Sequence, residues 1–207
     1  MNPPTRFSGY IVIMAEIVHH EGPGYRIAQT DIPMTAIPYP AVERQDGNVN
    51  HGFFDLRDHP ELADQIPEVQ KSRGIGDIVR AANAKGSAIM TLGCECALSP
   101  VEPSPEGTRS WRVGSYVSVA FRDPRRNSEP SALVRLAETI LSRIPPSEEH
   151  HIGFEFLVEP LKVFFEHEGQ YELTLKPEGH GRTEEEAWRA FEHAAGAVAT
   201  AIGTLPG

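Results

Sequence analysis

The chain has 207 residues, of which 40% are hydrophobic and 23% charged, proportions of an ordinary globular protein that exclude global disorder. A net charge of −10 argues against nucleic acid as a direct ligand, because a surface that repels phosphate gains nothing from counterion release. The 18 Gly and 18 Pro predict many interrupted elements and long connections, within a length that suits one domain over 1–207.

Residues 10–18 form a run rich in Ile and Val that predicts a central strand. Glu16 breaks it, and it has neither a basic leader nor a small-residue cleavage site, so it reads as neither signal peptide nor membrane span. A turn over 20–24 and a second strand over 25–35 complete a hairpin. Residues 38–74 keep no long apolar period and read as a loop-rich insertion, with Asp58 and Glu61 spaced as a capping box. Ile75, Ile78, Val79 and Ala82 have helical spacing, with Gly86 placed as a left-handed cap.

Strands follow over 87–98 and 111–122, joined by a Pro-rich loop over 99–110. Leu133, Leu136, Ala137, Ile140 and Ile144 mark an amphipathic helix that Ser128 or Ser131 would cap and Pro145 and Pro146 would stop. Strands over 154–158, 161–167 and 171–175 come next, with a turn at 168–170. Thr183 and Glu186 then open a long C-terminal helix whose stripe is Trp188, Phe191, Ala195, Val198 and Ile202. The fold class this predicts is α+β: an antiparallel sheet in a strand-strand-helix rhythm, with helices packed on one face.

Cys94 and Cys96 are the only cysteines, so no disulfide framework exists and the cytoplasm is the simplest compartment. On a strand they share a side, with Met90, Leu92 and Leu98 extending an apolar face, which predicts buried, structural thiols. The loop 46–59 is the densest cluster of functional groups. Asp46, His51, Asp55 and His59 stand beside Phe53 and Phe54, and imidazole with carboxylate can hold a divalent metal or serve as a general base and its orienter. An EF-hand is excluded, because His51 and Arg57 occupy the positions that need Gly and Glu. Gly74, Ile75, Gly76 and Asp77 open a helix without the lysine of a phosphate loop.

Twelve Glu stand against Lys162, Lys176, Arg182 and Arg189 between 148 and 192, a net of −8. Alternation along 171–175 turns Glu172 away from Leu173, and Glu185 and Glu192 lie off the Trp188 stripe, so these three are expected at an acidic surface. The leading expectation is a non-catalytic binding protein, an accessory, adaptor or immunity-type subunit, whose acidic C-terminal surface meets a basic protein partner, with no cofactor and with self-association left open. The alternative is a metal-dependent enzyme or metal-binding protein using Asp46, His51, Asp55 and His59, with His51, Asp55 and His59 as its catalytic set. A third reading is a small-molecule carrier with a cavity between sheet and helix.

Overall fold

The computed structural model describes residues 16–206 apart from 34, 44–48, 102–110 and 146–150. Its elements in order are β1 (Glu16–Gly22), β2 (Tyr25–Thr30), β3 (Ala36–Ile37), β4 (Val42–Glu43), β5 (Val49–Asn50), a 3-10 helix (Pro60–Gln65), α1 (Pro67–Lys71), α2 (Arg73–Ala82), β6 (Ile89–Pro100) and β7 (Trp111–Phe121). There follow α3 (Pro124–Asn127), α4 (Pro130–Arg143), β8 (Ile152–Pro160), β9 (Val163–Phe164), β10 (Tyr171–Gly181) and α5 (Glu184–Gly203).

Six strands make one sheet in the order β1-β2-β8-β10-β7-β6. Every pairing is antiparallel except β2 with β8, which run parallel. The expected α+β class, the helix-covered face and the long C-terminal helix are all present. The one parallel pairing arises because β2 and β8 are far apart in the chain and are joined by a crossover rather than a hairpin. No helix among the described residues is long and apolar enough to cross a membrane.

One face of the sheet packs Ile27, Phe156, Leu173, Leu175, Val117 and Val119 against α2, α4 and α5. The α5 helix lies close enough to β10 that a Cβ on Gly179 would overlap the backbone of Phe191 and Ala187. Its start follows the expected capping box: Glu186 N–H donates to the Thr183 hydroxyl at 3.2 Å, and the Glu186 carboxylate accepts from the Arg182 N–H at 2.9 Å. Phe191, Ala195, Val198 and Ile202 are buried as the stripe predicts, whereas Trp188 is half-buried at its edge.

Several local expectations are corrected. The cap of the 3-10 helix is His59 rather than Asp58, and that of α4 is Glu129, neither with a capping side-chain hydrogen bond; Pro60 and Pro130 at N1 supply the fixed φ instead. Of the strand expected over 161–167 only β9 forms, pairing parallel with β3. Most of the strand expected over 10–18, and the loop over 102–110, lie outside the described residues. In β6 a bulge between Thr91 and Gly93 shifts the alternation by one. Ile89, Thr91, Cys94, Cys96 and Leu98 therefore face the helices, while Met90 and Leu92 face the other way, so the single apolar face expected there does not exist.

The second face is half covered. Ile37, Met90, Leu92, Ala120, Leu161 and Phe164 form a small cluster there, flanked by Tyr39, Phe53 and Phe165. Phe165 holds a left-handed backbone at φ 53°, with the Arg57 guanidinium 4.2 Å over its ring and Phe53 and Phe164 edge-on to it.

Candidate functional site

β6 is the last strand of the sheet, and the chain from 49 to 56 climbs around its free edge. Phe53 packs on the second face while Phe54 and Leu56 pack with the helix-side core, so consecutive side chains straddle the edge. The Gly52 N–H donates to the Asn50 side chain at 3.0 Å, and Gly52 takes φ +84° where a Cβ would sit 2.8 Å from Ala41 N. Phe53 N–H bonds to Tyr39 O at 3.0 Å, tying the climbing segment to the strap that carries Tyr39.

Between this strap, α1 and the edge lies a cleft of about 910 Å³, within the size range of ligand pockets. Six consecutive residues of β6, Leu92 to Ala97, line one wall. Glu68 and Lys71 of α1 form another, and Tyr116, Ser118 and Glu172 of the second sheet face form the floor. The edge is partly plugged: the Tyr39 hydroxyl donates to Leu92 O at 3.2 Å and Lys71 Nζ to Cys96 O at 2.9 Å. Gly93 leaves room for Tyr39, since a Cβ there would meet the hydroxyl at 2.8 Å and push the phenol aside. A shallower groove of about 410 Å³ adjoins at Glu95, Ala97 and Tyr116 and runs onto Arg112, Glu155, Lys176 and Glu178. Its charges are paired with one another, Lys176 to Glu155 at 2.8 Å and Arg112 to Glu178 at 3.8 Å.

Glu172 is the anomalous group. It is 4% exposed, and no ion pair among the described residues includes it. Burial, helped by the Glu159 carboxylate on the neighbouring strand and opposed by the Ser118 hydroxyl, pushes its carboxyl up to about 8. Burial likewise raises Tyr39 to about 12 and raises Tyr116, with Cys94 next among the causes for the first and Glu95 for the second. The thiols of Cys94 and Cys96, also in the lining, are raised to about 12 and about 11 by burial, so neither is poised as a nucleophile.

The structure scatters the His/Asp cluster expected over 46–59. Asp46 lies outside the described residues. His51 lines the cleft. Both oxygens of Asp55 are taken by Arg57, at 2.9 and 2.6 Å, which holds the Asp55 carboxyl below the usual range. His59 Nδ1 lies 3.2 Å from Glu61 on the open surface. Among the described residues no three His, Cys, Asp or Glu stand together as a metal site.

The three acidic surface candidates also separate. Glu172 does turn away from Leu173, but that face is covered, so its expected place at the surface is corrected to the cleft floor. Glu192 is half-buried, and its carboxylate accepts from Gly74 N–H at 2.6 Å, at the first turn of α2, where Ser72 caps Ile75 at 3.1 Å. Gly74 N–H thus does receive an anion, but it is the protein's own, while Gly76 N–H bonds to Ser72 O at 3.1 Å. Glu185 alone stays fully outside, paired with Arg189 at 2.8 Å.

Sequence reasoning missed Tyr39, Tyr116 and Glu68, which carry no motif. A glutamate alternating with Leu173 and Leu175 beside Thr174 was the available signal for a lone carboxylate in a sheet floor. Comparison with protein-family models, curated proteins and solved structures gives no match for this chain.

Proposed function

We propose that this chain is a non-catalytic binding protein that holds its ligand in the cleft along the free edge of β6. The observation that carries this reading is Glu172, a carboxyl kept almost wholly out of water with no cationic partner among the described residues, in the floor of a cavity of about 910 Å³. A buried ionisable group left unpaired costs stability. A sequence under selection only for folding would place an apolar residue there; a ligand that pairs with the carboxyl gives the cost a purpose. The binding character expected from the sequence is kept, but the place moves from the acidic exterior to the interior of the second sheet face. Among the described residues the raised thiols, the Asp55–Arg57 pair and the separation of His51 from His59 support binding over the catalytic alternative.

Ala97 lines both the cleft and the adjoining groove and is exposed, so Ala97→Trp blocks the entrance without entering the core. Native mass spectrometry of the purified protein and thermal unfolding with a mixed small-molecule panel test the reading. A ligand at a hundredfold its Kd stabilises by about 2.7 kcal/mol, an easily measured rise in Tm. The rise is expected in the natural chain and lost in Ala97→Trp. A ligand whose effect survives in Ala97→Trp and in a second block, Asn50→Trp, binds elsewhere, and the cleft is then not the site.

A further inference from the structure

Resting on the cleft as the binding place, we propose that its ligand is a small organic cation whose charged nitrogen, an ammonium or amidinium, seats against Glu172. The charges in the lining favour one sign. Among the described residues, Glu68, Glu95 and Glu172 contribute three carboxyls to the lining, while its one Lys or Arg, Lys71, is already committed: its Nζ donates to Cys96 O and lies 5.5 Å over the Trp188 ring. Among the described lining residues an anion would meet three carboxyls and no uncommitted Lys or Arg. A neutral ligand would offer Glu172 a hydrogen bond but no opposite charge. A cation supplies the partner that the carboxyl lacks, and the phenol rings of Tyr39 and Tyr116 in the same lining suit its apolar body and attract its charge.

An extended basic peptide fits less well. To add as a strand it would need the outward carbonyls of β6, and those of Leu92 and Cys96 are occupied by the Tyr39 hydroxyl and by Lys71. Between these two plugs only a short stretch of edge around Cys94 is left, room for a small molecule rather than a strand.

The proposal makes binding proton-linked. A carboxyl titrating at about 8 is mostly protonated at neutral pH, so a cation must displace that proton. Affinity then rises with pH up to about 8 and is flat above it. The groups facing this one are Glu159 from β8, Ser118 and Tyr116 from β7, Thr174 on β10, Tyr39 from the strap, Glu68 and Lys71 from α1, Glu95 and the two thiols from β6, and His51. The lining also holds the His51 imidazole, which needs its own control.

Isothermal titration calorimetry with benzamidine, benzyl alcohol, benzoate and a lysine-rich hexapeptide separates the cases. Benzamidine is expected to bind at least about tenfold more tightly than benzyl alcohol near pH 8.5, with benzoate weakest, and to weaken by about tenfold per pH unit below about 8 as one proton is displaced. This preference and slope should vanish in Glu172→Gln and persist in His51→Gln. Glu172→Gln imitates the protonated carboxyl, and its thermal unfolding confirms that the variant is folded. Carbon NMR of the Glu172 carboxyl gives a second readout, a titration near 8 that moves down when benzamidine binds. Equal or tighter cleft binding of benzyl alcohol or benzoate, with sensitivity to Ala97→Trp, overturns the cation and keeps the cleft. Tight binding of the hexapeptide alone replaces the small molecule by a peptide, and binding of no probe of any class overturns both.

Discussion

Glu172 sets the pH behaviour of the folded protein as well as that of the cleft. Its folded value of about 8 lies above the 4.5 of a free glutamate, so between these the folded chain keeps a proton that the unfolded chain has lost. Stability from this group is therefore unaffected below about 4.5, falls as pH rises through the window, and carries its full penalty above about 8. Glu172→Gln removes the penalty: it should match the natural chain near pH 4 and exceed it by up to several kcal/mol at pH 9, measured by urea unfolding across pH. A gap that stays constant with pH would place the titration elsewhere. The thiols make a second case, since values near 12 and 11 leave little thiolate at pH 8, and a maleimide should label both far more slowly than it labels free cysteine. Both predictions concern residues whose direction was readable from alternation or spacing but whose cover was not. Alternation correctly opposes Glu172 to Leu173; what lies over Glu172 is supplied by residues 35–37, Tyr39 and residues 49–52, and no local pattern on β10 encodes them.

At the scale of elements, close approach and capping explain why α5 and α2 sit where they do. Gly179 and Gly181 let the backbone of α5 rest directly on β10, and small residues on the helix, Ala187, Ala190 and Ala194, keep it there. Gly179→Ala should cost more than about 3 kcal/mol, because the added methyl meets backbone rather than a flexible side chain; a cost under about 1 kcal/mol in chemical denaturation would show that the helix can slide away. Glu192→Ala should cost about 1 kcal/mol by leaving the Gly74 N–H without its carboxylate, and Glu192→Asp, too short to reach, should cost nearly as much. The long periodic helices and the Thr183 box were legible because they rest on contacts within one segment. The bulge in β6 and the reduction of 161–167 to β9 were not, because each answers to a partner remote in sequence: β6 slips one residue to give Met90 and Leu92 to the second face, and β9 forms only against β3.

Among the described residues the whole molecule divides its sheet unequally, with thirty-one buried residues in the helix-side core and six in the cluster on the other face. Its α+β class followed from the order of elements, but the parallel pairing of β2 with β8 and the half-covered second face depend on how distant segments meet. The acidic third shows the same limit: reversing Glu172, Glu185 and Glu192 together to Lys cannot act on the surface alone, since it buries one ammonium and opposes another to the α2 N-terminus. That triple variant is expected to unfold, while Glu185→Lys alone should change stability by less than about 0.5 kcal/mol. The unequal division also predicts how the protein opens. Local opening free energy follows the apolar contacts a segment would lose, so the strap around Tyr39 and Phe53 and the segment 161–167 should exchange amide hydrogens well before β10 and α5. Opening there loosens the cover of Glu172 without disturbing the larger core, so a ligand in the cleft should slow exchange at Tyr39, Phe53 and the free edge of β6, leaving α4 and β8 unchanged. Protection that instead spread evenly over both faces would mean that the two layers open as one unit.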